Sequence, residues 1–268
     1  WEEGRPVSVK GSVKVSGLRL PVPGWEAPLG IREAGGDISW RTRRSGWRLD
    51  VANPLFGLEG PSWAGGHLRI MHGPDASEFQ IKHMDMGDIT GFVTRLKGEI
   101  AESAKNIPGN AAALFDAWLA IKPEGSVDNF NLRLQGDWMS PADYSVEADI
   151  RDGAVLAYQK YPGARGVSGH LLLSRNAGNF RIDSIGMELS LPRIFRGPLA
   201  AERVSGDLGW EKYDDYWLVN GSDLRLSGKD GRGTGKLTLR LPHDHDLSPV
   251  LKLRVDFQDG NGARAARY

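Results

Sequence analysis

Apolar and polar residues alternate with period two along much of the chain, the pattern of strands with one apolar face. Val7, Val9, Val13 and Val15 share a parity with Gly11, and their neighbours Ser8, Lys10, Ser12, Lys14 and Ser16 are polar. Leu18 and Leu20, on the other parity, predict a further strand. Similar segments follow at Asp37 to Trp40, Trp47 to Val51, His67 to Met71 and Phe79 to Ile81, most of them separated by loops rich in Gly and Pro. The period then changes. Ile89, Phe92, Val93, Leu96 and Ile100 recur at helical spacing from Asp88 to Ala104, with Asp88 placed as the N-cap. A second helix is expected from Ala111 to Ile121, capped by Asn110 and ended by Lys122-Pro123-Glu124-Gly125. This helical pair at about 88–121 reads as an insertion, a plug or a cap over an open sheet edge.

Strands resume at Val127 and continue to the end: Val127 to Leu134, Tyr144 to Ile150, Val167 to Leu173, Phe180 to Ile182, Met187 to Leu191, Val204 to Trp210, Tyr216 to Val219, Leu224 to Leu226, Lys236 to Leu241 and Leu251 to Phe257. Turn signals between them give the rhythm of an antiparallel sheet rather than of βαβ units. The expected organisation is therefore 1–87 strands, 88–121 helical insertion and 122–268 strands. The start at Trp1 reads as a piece of a longer protein, with any membrane anchor outside it.

One motif occurs twice. Gly36-Asp37-Ile38-Ser39-Trp40 is followed by Trp47, and Gly206-Asp207-Leu208-Gly209-Trp210 is followed by Trp217 at the same offset. Each predicts a hairpin with polar turns at Arg41 to Gly46 and Glu211 to Tyr216, its two Trp opposed across the strands, and together they suggest a repeated strand module.

Composition narrows the function. The chain has 268 residues with 34 basic and 34 acidic side chains, so it lacks the basic surface of a dedicated nucleic-acid binder. It has no cysteine, which removes disulfides, thiolate metal sites and cysteine nucleophiles. No apolar run reaches the ~18 residues of a spanning helix.

Candidate chemistry is sparse. His243-Asp244-His245-Asp246 has metal-ligand residue types, but Pro242, Ser248 and Pro249 frame it as a polar loop. Asp214-Asp215 suits a turn better than acid–base work. Gly228-Lys229-Asp230-Gly231-Arg232-Gly233 joins two strands and opens no helix, so it makes a poor phosphate cradle. No nucleophile elbow, dinucleotide fingerprint or carboxylate pair in an apolar setting stands out. The expectation is no catalytic residue, no metal and no cofactor.

What remains is apolar stripes of single parity: Val167, Leu171 and Leu173; Val204, Leu208 and Trp210; Leu224 and Leu226; Leu237, Leu239 and Leu241; Leu251, Leu253, Val255 and Phe257. Two sheets could bury them against each other in a sandwich, as a scaffolding domain would, or they could line an open face. The Trp content also admits a carbohydrate-binding module or a glycosidase.

A further set of residues bears on that choice. Tyr161-Pro162-Gly163 leads into Gly166-Val167-Ser168-Gly169, and Phe195 to Leu199 carries Gly197-Pro198. Gly206 to Trp210 with Trp217, Leu241-Pro242, Ser248 to Leu253 and the closing Ala266-Arg267-Tyr268 complete the set. Together from Pro141 to Tyr268, and with the upstream helix and its Lys122-Pro123-Glu124-Gly125 exit, these residues resemble the YhdP family, AsmA-like proteins of the Gram-negative envelope, closely after Lys122 and loosely before Asp88. The resemblance implies a mainly β fold: a long, curved antiparallel sheet forming an open apolar groove, a repeating β-groove. It implies a periplasmic location, an inner-membrane anchor in the full-length protein, and phospholipid acyl chains as the partner, with the fifteen stripe residues as the groove lining. Each methylene removed from water is worth about 0.8 kcal/mol, so a bare sixteen-carbon chain faces about 13 kcal/mol. A continuous apolar lining lowers that barrier without chemistry.

Overall fold

A computed structural model describes residues 7–21, 28–58, 62–64, 66–103, 109–137, 140–158, 162–190, 197–229, 231–244 and 247–258. The chain divides into two units, 1–144 and 145–268. The first contains β1 (Ser8–Leu20), β2 (Leu29–Arg43), β3 (Gly46–Leu58), β4 (Ser62–Ala64), β5 (His67–His72), β6 (Ala76–Asp85), α1 (Met86–Ser103), α2 (Gly109–Ile121) and β7 (Glu124–Asp137). The division falls inside β8 (Ser140–Val155). The second unit continues with β9 (Gly163–Ser174), β10 (Ala177–Ser190), β11 (Leu199–Lys212), β12 (Tyr216–Gly228), β13 (Gly231–Pro242) and β14 (Val250–Gln258).

The fold class is the expected one: mainly β, a single open antiparallel sheet of 14 strands with a helical pair. Strands pair in chain order from β1 to β14, except that short β4 hangs on β3 and leaves β5 beside it. Chain-order pairing follows from short connections, since a two-residue turn can only return the chain beside itself.

Several strands are longer than their sequence pattern suggests, for one physical reason. Gly17, with φ 67°, lies inside β1 between Val15 and Leu18; Gly186, with φ 69°, lies inside β10 between Ser184 and Met187; Asp223, with φ 51°, lies inside β12 between Val219 and Leu224. A left-handed residue interrupts the pleat, so the side-chain alternation changes parity without ending the strand. The two strands expected at each of these places are one bulged strand.

The two copies of the Gly-Asp…Trp motif occupy the same kind of bulge. Gly36 and Gly206 have φ 148° and 144°, and the left-handed residues Asn53 and Asp223 sit across from them on the next strand. A side chain at Gly206 would place Cβ 2.9 Å from the Asp223 carbonyl oxygen, so only glycine fits both the backbone angle and the space. The pairing within each hairpin differs from expectation. Trp40 faces Leu49 and Trp47 faces Thr42; Trp210 faces Val219 and Trp217 faces Lys212. The Trp pairs are diagonal neighbours because the turns are tighter than expected: the strands run on to Arg43 and to Lys212.

Bulges free backbone groups, and polar side chains take them up. In the second unit, the Asp152 amide donates to Ser168 Oγ at 3.0 Å and the Ser168 amide donates to Ser184 Oγ at 2.8 Å. Ser184 Oγ in turn donates to the Ser168 carbonyl at 3.1 Å, and its side chain is fully buried.

The helical pair forms, with corrected caps. Asp85, not Asp88, caps α1: its Oδ1 accepts from the Gly87 amide at 2.7 Å and more weakly from Asp88 at 3.4 Å. Helix α2 opens at Gly109, one residue before the expected Asn110 cap. It ends where Lys122 turns left-handed at φ 45° and its amide bonds the Trp118 carbonyl, with Pro123 forbidding continuation. Trp118 Nε1 donates to Thr90 Oγ1 at 3.0 Å, and Lys97 pairs with Asp116 at 2.5 Å, which hold the two helices together. Among the described residues, the pair caps neither end strand of the sheet, β1 or β14. Helix α1 packs on β4, β6 and β7, and the Phe92 ring lies 5.5 Å from that of Phe56 on β3. The edge strand β1 is exposed along its whole length, so its valines are not a half-buried stripe.

Candidate functional site: one apolar face of the sheet

Strand register decides which side chains share a face, because residues directly opposite in a ladder point the same way. In the second unit, Val146, Ala148 and Ile150 of β8 face Leu173, Leu171 and Gly169 of β9, which face Gly178, Phe180 and Ile182 of β10. The row continues through Trp210, Leu208 and Val204 of β11 to Val219, Gly221 and Leu226 of β12. It then reaches Leu241, Leu239, Leu237, Gly235 and Gly233 of β13, with Leu224 opposite Gly235. It ends at Leu251, Leu253, Val255 and Phe257 of β14. Val167, on the parity of Gly169 and opposite Gly153, belongs to the same face. All fifteen residues of the sequence stripes therefore lie on one face.

Among the described residues, no second layer of strands lies over that face. Most of its side chains are half-buried all the same, and the cause is local. Glycines alternate with large residues, so the large ones lean over them. A Cβ at Gly221 would lie 2.9 Å from Leu224 Cδ1, 3.0 Å from Leu208 Cδ2 and 3.1 Å from Leu237 Cβ. Toward β14 this mutual cover fails: Leu253 is 59% and Phe257 74% exposed.

The first unit repeats the design, a part of the face that the sequence stripes did not include. Ile38 and Trp40 face Val51 and Leu49; these face Leu68 and Ile70, then Ile81 and Phe79, then Phe130 and Leu132. Here α1 covers part of the far margin through Phe92 on Phe56.

The opposite face carries the charge. In the first unit Asp50 accepts from Arg48 Nε at 2.5 Å and from Arg69 Nε at 2.7 Å, with His67 Nε2 at 3.3 Å. The hydrogen bond from Arg48 leads in holding the Asp50 carboxyl well below the usual carboxylate range, with Arg69 and His67 adding to it against a desolvation that works the other way. In the second unit Arg203 pairs with Asp183 at 3.1 Å and His170 with Asp149 at 2.8 Å.

Candidate polar chemistry resolves into turn structure. His243 Nε2 donates to the Tyr213 carbonyl at 3.0 Å, and its amide donates to the Asp215 carbonyl at 2.9 Å, so it ties two turns together. His245 and Asp246 lie outside the described residues, as do Tyr161, Phe195 and the closing Ala266-Arg267-Tyr268. No group of three metal-binding side chains occurs among the described residues. None of the described helices is long and apolar enough to cross a membrane.

No curated protein and no solved structure matches the chain. A match to the YhdP family, in contrast, runs over residues 1–268. With the sequential open sheet and its single apolar face, the chain belongs to the YhdP family, AsmA-like proteins of the Gram-negative envelope.

Proposed function

We propose that this chain is a segment of an intermembrane lipid-transfer protein that shields phospholipid acyl chains on its apolar face in the periplasm, the full-length protein being anchored in the inner membrane. The observation that carries this reading is the register. Fifteen apolar residues from five strands of the second unit, β9 and β11 to β14, share one face, over which no second layer lies among the described residues. The partner that removes such a face from water at least cost is a hydrocarbon chain, which needs no hydrogen bonds. The roles are distributed, so transfer requires continuity of the lining and no catalytic residue.

The test is site-specific photo-crosslinking in cells with a reactive side chain at Leu171 or Leu239, against Leu172 as control. Leu172 adjoins Leu171 but points to the opposite face and is exposed. Phospholipid should crosslink at the first two positions and not at the third. Lipid-free protein at all three, or equal labelling at all three, defeats the proposal.

A further inference from the structure

The apolar face has two unlike margins, and the one formed by the β2–β3 turn in the first unit carries a distinct set of groups. Trp40 and Trp47 lie at that margin on the apolar face, diagonal to each other. The ring of Trp47 sits 5.6 Å from that of His72, which is hydrogen-bonded to the buried Ser77 hydroxyl at 2.8 Å. Indole rings beside an apolar strip and next to water are the pattern of a lipid interface, where the ring is apolar and its N–H is wet.

Just beyond them the chain turns through Arg41-Thr42-Arg43-Arg44-Ser45-Gly46, with Arg43 opposite Gly46 as the last ladder pair. Arg41, Arg43 and Arg44 are exposed and make no ion pair among the described residues, and the segment holds no acidic side chain. The matching turn of the second unit keeps the aromatic margin, with the Trp217 ring 6.4 Å from that of His243. Its tip is the opposite in charge: Glu211, Asp214 and Asp215 against one Lys212. The repeated part is the aromatic margin; the basic tip belongs to the first unit alone.

Dimensions fit a lipid lying along the strands. Ala34 to Trp40 spans six residue steps of β2, about 20 Å of strand, with every second side chain on the apolar face. One leaflet's share of a bilayer's hydrocarbon is about 15 Å.

We infer that Arg43 and Arg44, at the tip of the turn just beyond the Trp40–Trp47–His72 margin, form the phosphate subsite for the headgroup of a phospholipid whose acyl chains run along the first unit's apolar face. Guanidinium groups match phosphate oxygens in geometry and charge, and unpaired ones lose no partner on binding. The inference rests on the lipid-shielding reading and adds to it a fixed polarity of the lipid and a unit that prefers phosphate.

The test loads the purified chain with single lipids presented in detergent below its micellar concentration: phosphatidylglycerol, and diacylglycerol with the same chains but no phosphate. R43E/R44E should weaken phosphatidylglycerol loading about tenfold, the size of one hydrogen bond to a charged group. Diacylglycerol loading should stay unchanged, which also shows that the variant is folded. D214K/D215K, at the other tip, should not weaken phosphatidylglycerol. Equal loading of phosphatidylglycerol by wild type and R43E/R44E overturns the subsite and leaves the shielding reading standing. Failure of both lipids to load on wild type overturns the shielding reading itself. If R43E/R44E loses only flotation with phosphatidylglycerol vesicles while keeping single-lipid loading, the tip contacts a membrane surface and the subsite is wrong.

Discussion

The Trp210 indole lies over Gly178 on the neighbouring strand, so close that a Cβ there would sit 2.3 Å from Trp210 Cζ2. The glycine is needed for space, and the ring fills what its missing side chain leaves. Gly178→Val should push the indole off the sheet, costing about 1–3 kcal/mol as overpacking does. A red-shifted tryptophan emission together with a lower urea midpoint is the expected result. An unshifted emission would mean that the ring does not rest there.

Asp50 offers a pH signature. Its pKa is depressed in the folded protein, first by the Arg48 hydrogen bond. The folded state therefore binds that proton later than the unfolded chain, whose carboxyl titrates near 3.9. The stabilisation is complete above the unfolded value and is lost as pH falls from there toward the folded value. Asp50→Asn should cost about 1.5 kcal/mol at pH 7, the low end for hydrogen bonds to charged groups because solvent reaches the cluster. Urea titrations at pH 7, 5 and 3 should show the gap to wild type unchanged between the first two and smaller at the third.

Ser184 closes the bulge it shares with Ser168 by both accepting and donating one hydrogen bond, with no exposure to water that could replace them. Ser184→Ala should leave the Ser168 amide and carbonyl short of partners, at about 1–3 kcal/mol. The Ser168 amide should then exchange with deuterium faster than those of its neighbours in β9.

The strand faces were legible in the sequence because period-two alternation needs no tertiary information, and Leu237, Leu239 and Leu241 can only point one way together. The continuity of strands was not. A reader of parity takes Val219 and Leu224 for different strands, and nothing local announces that Asp223 turns left-handed inside one. Asn and Asp tolerate that conformation, but in sequence they look like turn residues. Residue type alone does not place the α1 cap, since Asp85 and Asp88 are equivalent in sequence and only the bond to Gly87 separates them. The half-burial of a single-layer face was also hidden, because it depends on which glycine lies across from which leucine, a matter of register.

Helix α1 makes the two units unequal as lipid surfaces. The Phe92 ring rests on Phe56, which shares a face with Ala34 and so belongs to the apolar side of β3. A lipid on the proposed surface should reach Leu239, over which no helix lies among the described residues, and be kept from Phe56. A photoreactive side chain at position 56 should therefore crosslink poorly in wild type. Phe92→Ala removes the ring from that contact and should raise lipid crosslinking at 56 several-fold while leaving it unchanged at 239. The truncation also costs stability, about 3 kcal/mol at most for a ring only part-covered, so the signal at 239 reports that the sheet is intact. Strong labelling at 56 in wild type would show that α1 does not screen the face. A rise at both positions would mean that Phe92→Ala loosens the whole sheet, and the helix would then be a structural brace rather than a local cover.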